Sequence, residues 1–114
     1  MLQIIDEGLR QGALGVASTV GYMPAATARE MFEIQRVGAR YGRLTSVLLR
    51  YTPGTETTEP NGAQEILANA IALGAPVVVN HFNNPGWQLV QEVLVRSRAR
   101  GLNVWGEIIP MQRV

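Results

Sequence analysis

The hydrophobic positions of this 114-residue chain alternate between two patterns, one with helical spacing and one continuous. Apolar residues three or four positions apart, such as Leu2, Ile5 and Leu9, are typical of the buried face of a helix. Uninterrupted apolar runs such as residues 77–79 are typical of buried strands. Helices are predicted at Leu2–Gln11, Thr27–Tyr41, Gln64–Leu73 and Gly86–Arg100, and strands at Leu14–Val20, Leu44–Leu49, Pro76–Phe82 and Leu102–Ile109.

The predicted helices begin and end at residues suited to those positions. Thr27 followed by Glu30 has the spacing of a capping box, in which each side chain accepts a hydrogen bond from the other residue's backbone N–H. A glycine follows every predicted helix, as expected where a chain leaves a helix in the left-handed conformation. These glycines are Gly12, Gly42, Gly74 and Gly101. The predicted buried positions are Met31, Ile34, Val37 and Tyr41 in the second helix, Ile66, Leu67, Ala70 and Ile71 in the third, and Val90, Val93 and Leu94 in the fourth.

The order of elements predicts one α/β module over residues 1–114, made of four αβ units with parallel strands. Each unit has about 30 residues, the size of a βαβ unit. The strands are apolar on both faces, which is typical of a parallel sheet covered on both sides. The pattern itself fits either an open doubly wound sheet or half of an eight-stranded barrel. In both folds, function lies at the carboxyl ends of the strands, and the longer predicted loops are on that side.

Composition excludes several classes of function. The chain is 46% apolar and 17% charged, with a net charge of +1, so disorder and nucleic-acid binding are not indicated. It contains neither cysteine nor lysine, which excludes disulfides, thiolate metal sites, Schiff-base lysines and P-loop lysines. No apolar run has the roughly 20 residues of a membrane span. The first residues lack a basic signal-peptide segment, and a cytoplasmic protein is predicted.

His81 is the only histidine and directly follows the apolar run of the third predicted strand. A neutral imidazole at that position could ligate a metal. However, a catalytic metal needs about three protein ligands, and the chain has no cysteine and no second histidine to provide them. A histidine satisfied by a loop carbonyl is the alternative interpretation.

Arg50, Ser18 and Tyr22 are candidate substrate-binding residues near the predicted strand ends. Arg50 could bind a carboxylate through two hydrogen bonds, or could pair with Glu56 or Glu59 of the next loop. Ser18 and Tyr22 could line the same rim, or could serve only in turns and packing. No catalytic residue is assigned, because Ser18 has no evident base partner.

Glu107 and Trp87 are weaker candidates. Glu107 lies at a predicted strand end and could act as an acid or base, although a capping or ion-pairing role is favoured. Trp87 begins a predicted helix, where packing is favoured over stacking on a substrate.

Three stretches of sequence resemble one enzyme family. Residues 12–24, GALGVASTVGYMP, are similar to the Gly-Ala-Leu-Gly-Leu-Ser-Thr-Gly-Leu-x-Tyr-x-Pro signature of D-aminoacylases and N-acyl-D-amino-acid deacylases, a branch of the amidohydrolase superfamily. Residues 80–82, with Asn84 to Trp87 after them, resemble its Ser-His-His-Lys strand end and following Asn-Trp. Residues 100–110 resemble its Arg-Gly-Leu-Asp-Val and Asp-Val-Tyr-Pro segment.

The resemblance implies a (β/α)8 barrel that carries one or two divalent metals, usually zinc, and hydrolyses amide bonds. This chain would form the central part of such a barrel. His81 matches a metal-binding histidine of the family, and Arg50 matches the arginine of a Thr-His-x-Arg strand end. Leu48 stands at the histidine of that strand end, and Asn83 stands where the family has a lysine.

Two functions are therefore considered. The first is a fragment of a metal-dependent amidohydrolase that acts on amide C–N bonds of the N-acyl-D-amino-acid type and is inactive alone. The second is a non-catalytic α/β binding or structural domain that self-associates. Four strands of a barrel leave two unpaired edges and an exposed inner face, predicted to carry Leu48, Val77, Val79 and Trp105. We therefore expect a homo-oligomer, with two copies closing one eight-stranded barrel.

Overall fold

The computed structural model of the chain describes residues 1–23, 25–50, 61–80 and 87–108. Helices α1 to α4 span Leu2–Arg10, Ala28–Arg40, Asn61–Leu73 and Trp87–Ala99, and strands β1 to β4 span Gly15–Ser18, Leu44–Leu48, Val77–Asn80 and Val104–Gly106. A short 3-10 helix, Val20–Tyr22, follows β1. The four predicted αβ units are confirmed, although β1, β2 and β4 are shorter than their apolar runs suggested. The predicted end of the third strand, residues 81–82, lies outside the described residues.

The strands form one parallel sheet in the order β1-β2-β3-β4. Consecutive order without a switch point is the arrangement of a barrel, whereas a doubly wound sheet reverses its strand order. The observed strand order therefore favours part of a barrel over a doubly wound sheet, a choice that the apolar pattern left open.

The predicted capping box and terminal glycines are present, whereas α3 begins at Asn61, three residues before the predicted start at Gln64. The Thr27 hydroxyl accepts from the Glu30 backbone N–H at 3.1 Å, and the Glu30 carboxylate accepts from the Thr27 backbone N–H at 2.6 Å. Positive φ angles occur after the helices, from 61° at Gly42 to 105° at Gly12. A residue with a Cβ is strained there, which explains why glycine ends these helices.

One face of the sheet, here called the helix face, packs against the helices and holds the core. Its strand residues include Val16, Thr45, Val47, Val77, Val79 and Val104, all buried. Met31 of α2, Ile66 of α3 and Leu94 of α4 pack in one core cluster with the strand residues Val47, Val77, Val79 and Val104. Val16 packs in a second cluster, with Leu9 of α1 and Val37 of α2. The opposite face, here called the open face, carries Gly15, Ala17, Leu44, Ser46, Leu48, Val78, Asn80 and Trp105.

Two predictions about burial were wrong. Val77 and Val79 were expected on the inner face, but both have no exposed surface and lie on the helix face. Successive strand residues point to opposite sides, so only Val78 of that run reaches the open face. Ile71 is 60% exposed instead of buried, because a helix turns about 100° per residue and Ile71 lies one step around the axis from Ala70.

None of the helices within the described residues has both the length and the apolar character needed to cross a membrane.

Candidate functional site

The parallel strands bring their carboxyl ends to one edge of the sheet. Ser18, Leu48, Asn80 and Gly106 are the last residues of β1 to β4. Ligands of parallel α/β folds bind beyond this edge. The candidates chosen from the sequence belong to this region, since Arg50 lies two residues past β2 and Tyr22 lies in the 3-10 helix after β1. His81 follows Asn80 in the sequence but lies outside the described residues.

Arg50 is the most extensively bonded of the candidate residues. Its Nε donates to Glu65 Oε2 at 3.0 Å, its Nη2 donates to Glu65 Oε1 at 3.4 Å, and its Nη1 donates to the Ala26 carbonyl at 2.7 Å. The guanidinium thereby ties the end of β2 to α3 and to the segment before α2. The ion pair considered from the sequence is present, but with Glu65. Glu56 and Glu59, the partners considered then, lie outside the described residues.

Ser18 and Tyr22 take different positions at this edge. Ser18 shares the helix face with Val16, and its hydroxyl donates to the Met31 sulfur at 3.6 Å. This contact turns the hydroxyl toward α2. Tyr22 is 70% exposed and presents its ring to solvent. Substrate binding by Ser18, Tyr22 and Arg50 stays a prediction.

The open face contains a polar pair that the sequence analysis did not single out. The Ser46 hydroxyl lies 2.7 Å from the Asn80 side-chain oxygen, and both residues are half-buried. The sequence feature that could have indicated this pair is a polar residue on the same face of two neighbouring, otherwise apolar strands. The remaining strand residues on this face are apolar or glycine, so the described face is electrically neutral.

The described residues do not fit a metal site. They include no group of three or more histidine, cysteine, aspartate or glutamate side chains placed together as a metal requires. Leu48, which the sequence resemblance matches to a histidine, lies on the open face at the carboxyl end of β2, beside Asn80 in register. A hydrocarbon at that point cannot ligate a cation.

The two weaker candidates lie at the margins of this edge. Glu107 is exposed, and its backbone N–H donates to the Val79 carbonyl at 2.8 Å, which extends the pairing of β4 with β3. Trp87 begins α4 and is 42% exposed, so its ring is only partly packed. Neither observation tests a role in binding.

A groove between α1 and α2 is a second concave surface of the described chain. It has a volume of about 390 Å³ and includes Asp6, Glu7, Glu33, Arg36 and Arg40 in its lining. Glu33 forms an ion pair with Arg36, so part of this charge is already compensated within the groove. The strand ends remain the better candidate.

Comparison with known structures finds enzymes that contain the same arrangement of strands and helices. N-acyl-D-glutamate deacylase from Bordetella bronchiseptica, solved with zinc and a phosphonate mimic of the tetrahedral intermediate, matches with a TM-score of 0.79 and 26% identity. The match covers 96% of this chain and 24% of that enzyme. No family model and no curated protein matches the chain.

Two further structures share the fold. D-aminoacylase, described with a binuclear metal centre, matches with a TM-score of 0.78 and 21% identity over 96% of this chain and 24% of its own. L-hydantoinase (dihydropyrimidinase) from Arthrobacter aurescens matches with a TM-score of 0.74 and 21% identity over 94% of this chain and 29% of its own. The chain thus spans between 24% and 29% of the length of these enzymes. The resemblance found in the sequence motifs is confirmed, and the chain matches a fragment of the TIM-barrel fold of the amidohydrolase superfamily.

Proposed function

We propose that this chain forms part of the barrel of an amidohydrolase that cleaves amide C–N bonds of the N-acyl-D-amino-acid type, and that the 114-residue chain is inactive alone. The observation that carries the proposal is the match to N-acyl-D-glutamate deacylase, at 26% identity over 96% of the chain. The three sequence motifs support the same branch of the superfamily.

Arg50 can offer hydrogen-bond donors to a substrate in addition to its bonds with described residues. A guanidinium has five N–H donors, and within the described residues Arg50 uses three of them, on Glu65 and Ala26. The remaining two lie on the separate Nη atoms, so Arg50 can still bind a carboxylate oxygen of an acyl amino acid. The exposed Tyr22 hydroxyl and Ser18 belong to the same proposed rim.

Metal binding is proposed only for an assembly larger than the described residues. His81 would supply one ligand for zinc or another divalent cation, and other parts of the barrel would supply the rest. No hydrolytic step is assigned to a metal in this chain, since the described donors do not form a site. Hydrolysis by the isolated chain is therefore not expected.

A gain-of-binding experiment tests this placement. Leu48→His restores the family residue at the carboxyl end of β2, and Leu44→His puts the same side chain at the other end of the same strand and face. We expect zinc affinity, measured by calorimetry, to rise at least about tenfold for Leu48→His and not for Leu44→His. Adding His81→Ala to Leu48→His should remove the gain.

Equal affinities for the Leu48→His and Leu44→His proteins would reject a metal-binding ancestry of this edge. Hydrolysis of N-acetyl-D-glutamate is measured in parallel as released amine. We expect none from the 114-residue chain, with or without zinc. Turnover by the chain alone would contradict the proposed dependence on other parts of a barrel.

A further inference from the structure

The open face ends in a side-chain amide whose orientation is fixed by the neighbouring strand. Asn80 is the last residue of β3 and lies in register beside Leu48, the last residue of β2. The Ser46 hydroxyl donates to Asn80 Oδ1 at 2.7 Å. A side-chain amide has an accepting oxygen and a donating NH2 group on the same carbon, so a bond that holds the oxygen also fixes the direction of the nitrogen.

The amide nitrogen of Asn80 is directed to the carboxyl edge of the sheet. Ser46 lies two residues before Leu48, so it is set back from Asn80 along the strand direction. Because the amide oxygen points back to Ser46, the NH2 group points the other way, toward the edge where ligands of parallel α/β folds bind. Within the described residues, the bond from Ser46 is the one hydrogen bond of the Asn80 side chain. Both N–H donors of this half-buried amide thus remain for a ligand.

The surroundings of this donor favour an uncharged acceptor. The nearest strand residues on the open face are Leu48, Ala17 and Val78, none of which is charged. A carboxylate among them would lose hydration without gaining a cation, whereas a carbonyl oxygen costs much less to desolvate. Glu107, which follows β4 at the same edge, adds a negative charge that also disfavours a carboxylate. The Asn80 donors therefore suit a carbonyl oxygen.

We propose that Asn80 is a further substrate-binding residue, which donates to an amide carbonyl oxygen of the substrate, and that Ser46 positions it. The proposal rests on the proposed function, because an N-acyl amino acid offers both a carboxylate and an amide carbonyl. The carboxylate belongs to Arg50, whose guanidinium lies against α3 and the segment before α2. Asn80 also stands where the resembled Ser-His-His-Lys strand end has a serine, so an amide with two N–H donors replaces a hydroxyl with one.

NMR titration of the isotope-labelled 114-residue chain tests the proposal. The probes are N-acetyl-D-glutamate and N,N-dimethylacetamide, a tertiary amide that can only accept hydrogen bonds. We expect both to shift the Asn80 side-chain NH2 resonances saturably. Asn80→Ser, followed through the Leu48 backbone N–H, should weaken the binding of each by about fivefold. Asn103→Ser is the matched control, because Asn103 lies just before β4 at the opposite edge, and it should leave both affinities unchanged.

Two variants of Ser46 test its positioning role. Ser46→Ala leaves the Asn80 donors in place but frees the amide to turn, and should weaken the binding of both probes by about threefold. Ser46→Thr keeps the hydroxyl and should restore the affinity. Urea denaturation of each variant is measured in parallel. A purely structural role would lower the stability of Ser46→Ala and leave the affinity of the folded chain unchanged, which would reject the positioning role.

The two probes separate this proposal from the proposed function. N-acetyl-D-glutamate binding that is unchanged in Asn80→Ser overturns the role of Asn80 and leaves the proposed substrate class intact. Binding of N,N-dimethylacetamide alone, lost in Asn80→Ser, supports the carbonyl site and counts against N-acyl amino acids as substrates. A chain that binds neither probe overturns the proposal. If Asn80→Ser does not fold, equal affinities of Ser46→Ala and Ser46→Thr overturn it in the same way.

Discussion

Arg50 and Glu65 form a two-point ion pair that holds the carboxyl end of β2 against the start of α3. The two contacts measure 3.0 and 3.4 Å, and the side chains are 30% and 18% exposed. The same guanidinium also donates to the Ala26 carbonyl at 2.7 Å. Three segments at the candidate edge are thus fixed by one side chain. We therefore expect this pair to contribute more to stability than an ion pair on an exposed helix surface.

Glu65→Ala should lower the free energy of unfolding by about 1–2 kcal/mol, because it leaves a half-buried guanidinium with fewer partners. Urea denaturation followed by circular dichroism measures the change. Glu92→Ala is the control, since the Arg96–Glu92 pair is 75% and 56% exposed and should contribute less than about 0.5 kcal/mol. Equal losses in the two variants would show that the Arg50 contacts do not organise this edge.

Tyr41 should give the chain an alkaline dependence of stability. Its hydroxyl donates to Asp6 at 2.8 Å, and this hydrogen bond, followed by burial and the charge of Asp6, raises the pKa of Tyr41 above its ordinary value of 10.0. A group whose pKa is higher in the folded state gives its full contribution to stability at pH values below the pKa that it has in the unfolded chain. That contribution is lost as the pH rises through the folded pKa.

We therefore compare the unfolding free energy of the unsubstituted chain with that of Tyr41→Phe. The difference should be constant up to about pH 9, because the phenol is protonated in both the folded and the unfolded state. It should shrink above about pH 10. Urea titrations at fixed ionic strength from pH 7 to pH 11.5 measure it. Tyr22→Phe, at an exposed tyrosine, is the control for the loss of a phenol hydroxyl as such. A Tyr41→Phe difference that is unchanged at the highest pH would contradict the assignment.

Gln35 is a fully buried polar residue between α2 and α3. Its Nε2 donates to the Ile66 carbonyl at 3.2 Å, and its Oε1 accepts from Asn69 at 2.8 Å. Gln35→Ala should cost about 2–3 kcal/mol, because it leaves a cavity and removes both bonds. Gln35→Leu fills the space and should cost less than about 1.5 kcal/mol, since Asn69 is only half-buried and can turn to water. Thermal and urea unfolding of the two variants separate the contribution of packing from that of hydrogen bonding. Equal losses of unfolding free energy in Gln35→Ala and Gln35→Leu would mean that the hydrogen bonds account for the whole destabilisation.

The sequence predicted the features of this fold that are decided locally. The capping box at Thr27 and the left-handed Gly42 each depend on residues within one turn of the helix, so their outcome does not require knowledge of the tertiary structure. The parallel sheet also followed from the apolar run at Val78 and its neighbours. These features sufficed to predict four αβ units with their loops at the correct edge.

Contacts between distant segments could not be predicted in the same way. Arg50 had acidic residues nearby in the sequence, and among the described residues its partner is Glu65, which α3 brings close. Val77 and Val79 were assigned to the wrong face because the whole apolar run was placed on the inner face. Side chains along a strand alternate between the two faces, so neighbouring residues cannot all lie on one of them. The hydrogen bond of the Arg98 side chain to the Val104 carbonyl of β4 depends on how α4 lies beside that strand, which apolar spacing does not specify.

Gly62 marks a close approach of two backbones at the candidate edge. A Cβ built on Gly62 would overlap the carbonyl oxygen of Arg50 and would also lie 3.0 Å from its carbonyl carbon and nitrogen. Backbone atoms cannot move aside as a flexible side chain can. Gly62→Ala must therefore separate the start of α3 from the end of β2, and this also strains the contact between Arg50 and Glu65.

We expect Gly62→Ala to lower the free energy of unfolding by about 2 kcal/mol or more, despite the higher helix propensity of alanine. Gly8→Ala is the matched control, because Gly8 lies within α1 and a Cβ there meets no atom within 4 Å. That variant should be stabilised by up to about 1 kcal/mol, since alanine favours the helix and restricts the unfolded chain. Urea denaturation of both variants gives opposite signs if the backbones approach as described. A stabilised Gly62→Ala chain would mean that β2 and α3 are farther apart than the contact requires, and that Arg50 reaches Glu65 across a wider gap.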